Sequence, residues 1–84
     1  MERMAGSDEL KRGVELALNG DWEAAHAIAQ QSESDPDFCW LHACLHKIEG
    51  DQSNSRYWYA KAGRRFEDFS ETGDELRALL ASLA

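Results

Sequence analysis

Strand-forming residues are nearly missing from this chain. Its 84 residues include two Ile, one Val and one Thr, and no segment alternates apolar and polar positions over the length of a strand. A β-sheet fold is excluded on that ground. Positive charge is also scarce: nine Lys and Arg stand against sixteen Asp and Glu, a formal charge of -7. Such a field repels both nucleic acid and anionic membrane, so neither is expected as a partner. No run approaches the ~18 apolar residues of a membrane span, and the opening stretch has no apolar leader segment, so a cytoplasmic location is expected. Only two cysteines occur, Cys39 and Cys44. Five apart on one helix they lie roughly 7.5 Å apart along its axis, beyond the usual reach of a disulfide, and are expected as reduced, buried thiols.

Core material is present. Apolar residues make up 43% of the chain, with three Trp, three Phe and two Tyr, enough to close one small domain of modest stability. Punctuation divides that domain into helices. Leu10, Val14, Ala17 and Leu18 recur on one face of a first helix from Asp8, capped by Ser7 or Asp8 and stopped by Asn19-Gly20. Asp21 then caps a second helix, from Trp22 to about Gln31, with a stripe of Trp22, Ala25, Ile28 and Ala29. Asp35 followed by Pro36 opens a third, because proline at the first helical position loses no hydrogen bond. This helix runs to Glu49 with Leu41, Cys44, Leu45 and Ile48 as its stripe, flanked by Phe38 and Trp40. Gly50 ends it and Asp51 caps a fourth, in which Ser55, Trp58, Tyr59, Ala62 and Phe66 share a side around a Gly63 stop. Thr72-Gly73-Asp74-Glu75 fits a capping box ahead of Leu76, Leu79, Leu80 and Leu83, so a fifth helix is expected to fold back as a lid on the second hairpin.

The expected architecture is all-α: two antiparallel helical hairpins, residues 8–32 and 35–66, plus a C-terminal capping helix at 72–84, about five helices in one domain, with residues 1–7 flexible. The turns Asn19-Gly20-Asp21-Trp22 and Glu49-Gly50-Asp51-Gln52 lie 30 residues apart, the scale of a helix-turn-helix repeat. Gly20-Asp21-Trp22-Glu23-Ala24-Ala25 resembles the G-D-Y-E-E-A turn of tetratricopeptide repeats. Ser55-x-x-Trp58-Tyr59-x-Lys61-Ala62 is similar to the A-x-x-W-Y-x-K-A string of Sel1-like repeats. The resemblance spans roughly residues 8 to 66, and the combination of Asp21-Trp22-x-x-Ala25-His26, Leu41-His42-x-x-x-His46-Lys47-x-Glu49-Gly50-Asp51 and Tyr57-Trp58-Tyr59-x-Lys61-Ala62-Gly63 resembles a set of short bacterial proteins. It implies an α-α repeat fold and no particular activity.

Few residues carry possible chemistry. His42 and His46 are i, i+4 neighbours with Cys39 one turn earlier on the same face, three potential metal ligands. A spaced fourth ligand is missing, there is no Glu between the histidines in H-E-x-x-H fashion, and His26 is the only other imidazole. Histidines that pack and hydrogen-bond within the fold are therefore the expectation, with no metal or other cofactor. Cys39 with His42 has the spacing of a nucleophilic pair, but no oxyanion-hole element accompanies it, and no enzyme is expected. Tyr57, Lys61 and Arg64 recur on one face of the fourth helix, inside a stretch from Arg56 to Arg65 that holds four cations and no acid. The reading is a non-enzymatic adaptor or scaffold that binds a protein or peptide, with His26, Trp40, His42, His46, Tyr57, Lys61 and Arg64 as contact candidates. The competing readings are a metal- or ligand-binding protein using Cys39, His42 and His46, and a homodimer through the C-terminal leucines; monomer or weak homodimer is the expected state.

Overall fold

Three glycines with left-handed backbone set the path of the chain: Gly20 (φ 86°), Gly50 (φ 88°) and Gly63 (φ 72°). Each stands just past a helix and lets the chain reverse without the clash a Cβ brings at positive φ. The computed structural model describes residues 6–84. In it α1 spans Gly6–Leu18, α2 Trp22–Ala29, α3 Pro36–Glu49, α4 Gln52–Ala62 and α5 Thr72–Ser82, with a short 3-10 turn at Phe66–Asp68. No strand occurs among the described residues.

The two hairpin turns are near copies. Past Gly20, the Asp21 N–H donates to the Leu16 carbonyl at 2.9 Å; past Gly50, the Asp51 N–H donates to the His46 carbonyl at 3.0 Å. Asp21 (φ -90°, ψ 77°) then accepts from the Ala24 N–H, and Asp51 (φ -90°, ψ 80°) from the Asn54 N–H, both at 3.3 Å. Each glycine closes one helix and each aspartate opens the next, so α1 runs against α2 and α3 against α4. Asp35 caps α3 as expected, accepting from the Asp37 N–H at 2.9 Å, with Pro36 at the first helical position.

Four expectations change. Helix α1 begins at Gly6, so Gly6 and Ser7 are helical rather than flexible; the rest of that expectation, residues 1–5, lies outside the described residues. Ile48, placed in the stripe of α3, is 43% exposed. Trp40, read as a contact residue at the edge of that stripe, is only 3% exposed. Helix α3 is buried without a break from Phe38 to His46, because neighbours surround it, and so has no single core face. Lastly, the capping box does not form: α5 starts with Glu71 at the cap position and no side-chain cap bond.

Glu75, the acid of that supposed box, points inward and is 1% exposed. Its Oε2 accepts from the Trp40 indole N–H at 2.8 Å and from the Tyr59 hydroxyl at 2.5 Å, while Oε1 pairs with the Lys47 ammonium at 3.0 Å. Lys47 places its other protons on the carbonyls of Phe66 and Phe69, both at 2.8 Å. Burial and the bond to Glu75 push the Tyr59 hydroxyl well above its ordinary pKa, which keeps it a donor. A buried charge tolerates such a site only when each lone pair and proton is matched, as here. The result is a clamp joining α3, α4, the 3-10 turn and α5. Helix α5 does fold back, across α1 and α3 rather than over the second hairpin alone. Leu76 and Leu79 are buried there and Leu80 and Leu83 half-buried, so the leucines proposed as a dimer seam are used inside the chain.

Candidate functional site

Stacking one hairpin on the other lays α2 beside α3, and this contact assembles all three histidines of the sequence. His42 and His46, one turn apart on α3, meet His26 of α2, with one ring nitrogen of each residue within 4.8 Å of the others. The Nε2 atoms of His26 and His42 share a hydrogen bond at 3.2 Å. His46 Nδ1 pairs with Glu49 Oε2 at 2.6 Å. Aromatic planes hold the rings from both sides: Trp22 stacks on His26 (4.6 Å, 16°) and Trp58 of α4 on His42 (3.9 Å, 13°). Trp22 is itself pinned by its indole N–H, which donates to the Leu45 carbonyl at 2.7 Å.

Electrostatics favour the neutral form of His26 and His42. Burial, and then the neighbouring imidazoles, push His42 down to about 4. His26 is lowered for the same reasons, burial first and His46 second, with Glu49 pulling weakly the other way. At neutral pH these two side chains thus offer lone pairs rather than charge. His42 Nδ1 is buried with no hydrogen-bond partner.

Cys39 does not belong to this cluster. Its thiol donates to the Glu33 carbonyl at 3.2 Å, and burial raises its pKa, which disfavours the thiolate that a ligand or nucleophile needs. Cys44 is buried, free and raised further for the same reason. The sequence reading grouped Cys39 with His42 and His46 because they share a helical face; His26, sixteen residues from His42, carries no spacing signal and is joined to them only by tertiary packing.

The strip read on α4 does lie outside. Tyr57 is 57% exposed and Lys61 is exposed beside it, but Arg64, read on the same helix face, lies past the Gly63 cap that ends α4 at Ala62. Lys61 Nζ stands 5.7 Å from the Tyr57 ring centroid and 5.3 Å from that of Trp58. The Arg64 guanidinium lies 3.5 Å from the centroid of Trp40, covering the indole from solvent. Among the described residues neither cation pairs with a carboxylate, whereas Arg56 on the same helix pairs with Glu67 at 2.7 Å. A pocket of about 480 Å³ opens between Lys47, Arg56, Phe66, Phe69 and Thr72, but its buried cation is already fully engaged. No helix among the described residues is long and apolar enough to cross a membrane. No family model, curated protein or solved structure matches the chain.

Proposed function

We propose that the chain is a non-enzymatic, cytoplasmic scaffold module of the α-α repeat type that binds an acidic segment of another protein on the outer face of α4. The observation that carries this reading is the exposed Tyr57 with Lys61 beside its ring and a second exposed cation, Arg64, just past the end of α4, neither cation neutralised by a described carboxylate. Such a strip suits a partner that brings carboxylates and one apolar side chain to rest on the phenol ring. The near-identical Gly-Asp turns support the repeat reading. Use of the C-terminal leucines within the fold favours a monomer.

Anisotropy titration of a labelled Glu- and Leu-rich peptide tests the proposal. Saturable binding is expected that weakens with salt, falls about tenfold or more with Tyr57→Ser, and is abolished by Lys61→Glu with Arg64→Glu. Equal binding of a Lys- and Leu-rich peptide, or no effect of these substitutions, would overturn it.

A further inference from the structure

The imidazole cluster plays no part in the α4 strip and has its own chemistry. We infer that His26, His42 and His46 form a three-imidazole site for a divalent first-row transition cation, with tetrahedral Zn²⁺ as its simplest occupant. This inference stands independently of the docking reading.

Distances come first. Two nitrogens bound at ~2.0–2.1 Å to one tetrahedral cation lie about 3.3 Å apart. His26 Nε2 and His42 Nε2 are already 3.2 Å apart. One ring nitrogen of each histidine lies within 4.8 Å of the others, so a small adjustment of the rings closes the trio on one cation. His42 and His46 are placed for this, since i, i+4 spacing on one helix directs both rings to the same side. Three imidazoles are a borderline donor set suited to Zn, Cu and Ni, and three protein ligands leave the fourth tetrahedral position to water.

The surrounding groups fit the same use. With Nδ1 donating to Glu49, His46 keeps its Nε2 lone pair, the carboxylate–histidine arrangement that orients a metal ligand. Trp22 and Trp58 stack on the other two rings and limit their rotation, so binding orders them little further. The lowered pKa values of His26 and His42 mean that protons compete weakly at neutral pH. Proton balance is simple: when His26 Nε2–H donates to His42 Nε2, the cation takes both lone pairs once the His26 proton moves to its Nδ1. His42 then carries its proton on Nδ1, which has no partner in either tautomer, so the cation costs no hydrogen bond there.

The test uses the full chain without an affinity tag, stripped with chelator and titrated with Co²⁺ and then Zn²⁺. Expected are a visible absorption band of tetrahedral Co²⁺ that saturates at one equivalent, its loss on adding Zn²⁺, and a melting temperature that rises with free Zn²⁺. His26→Gln should abolish the band while the metal-free protein still melts cooperatively. Should that variant fail to fold, Glu49→Gln decides, because it alters an exposed carboxylate and should weaken Zn²⁺ by roughly 10- to 100-fold while leaving metal-free melting unchanged. Absence of a saturable band, a folded His26→Gln chain that still binds the metal, or, where that variant does not fold, an affinity indifferent to Glu49→Gln, overturns the assignment.

Discussion

Residues 30 apart occupy equivalent places in the two hairpins and differ in kind. Leu10 answers to Trp40, Val14 to Cys44, Ala25 to Ser55, Ile28 to Trp58 and Ala29 to Tyr59, and all ten are buried. At these positions the first hairpin therefore contributes aliphatic side chains alone. Its tightest point is Gly13, where an added Cβ would stand 2.9 Å from both Ile28 Cγ2 and Leu41 Cδ2. The second hairpin buries an indole N–H, a phenol, a hydroxyl and an ammonium, each of which needs a partner. One backbone plan thus supports two kinds of interior, and only the second depends on α5 for its chemistry as well as its packing.

The largest expected effect breaks the second interior and spares the first. Glu75→Ala should destabilise the protein by about 3 to 5 kcal/mol, because it strands a buried ammonium and two buried donors. Urea unfolding measures it; a loss under about 1 kcal/mol would mean that water replaces the carboxylate without difficulty.

Acid acts on the seam between the hairpins. For the metal-free chain, the unfolded histidines take up protons near 6.5 whereas folded His42 resists until about 4 and His26 is also lowered. The unfolded state then holds more protons across that window, so stability rises with pH and is lost as pH falls from about 6.5 to about 4. A loss of about 2 kcal/mol is expected, read from urea midpoints across the window, and a flat profile would place water among the rings.

Matched substitutions sharpen the likeness of the turns. Gly20→Ala and Gly50→Ala each force a side chain into positive φ and meet no neighbour within 4 Å, so each should cost about 1 kcal/mol and the two should agree. A clear difference would show that the turns carry unequal strain. Smallest of all is Ser55→Ala, which gives the second hairpin the residue the first has at Ala25. The Ser55 hydroxyl donates to the Ala43 carbonyl at 2.7 Å, and its loss, partly offset by the better helix propensity of Ala, should cost under about 1 kcal/mol in thermal unfolding.

What the sequence disclosed was what neighbours along the chain decide. Gly20-Asp21, Asp35-Pro36 and Gly50-Asp51 are local instructions, and the helix limits follow them closely. What it hid was decided across space. Helix α3 is covered nearly all round, so the periodicity that should separate Trp40 from Ile48 carries little information. Glu75 matched a local pattern, but the unmet donors of Trp40 and Tyr59 and the charge of Lys47 outweighed a cap bond on an exposed helix end. Two members of the imidazole trio were visible as neighbours on one helix; the third required knowing that α2 lies along α3.

The Glu75 clamp also bears on how the native molecule opens. A helix at the end of a described chain ordinarily lifts away first, and its amides exchange with solvent at little cost. Detaching α5 would leave Lys47 buried without its counter-ion and Trp40 and Tyr59 without acceptors, so a partly opened state is penalised as heavily as a mutant lacking the carboxylate. The amides around Leu76 and Leu79 should consequently exchange at the pace of those in α3, so that α5 opens only together with the helices it is clamped to.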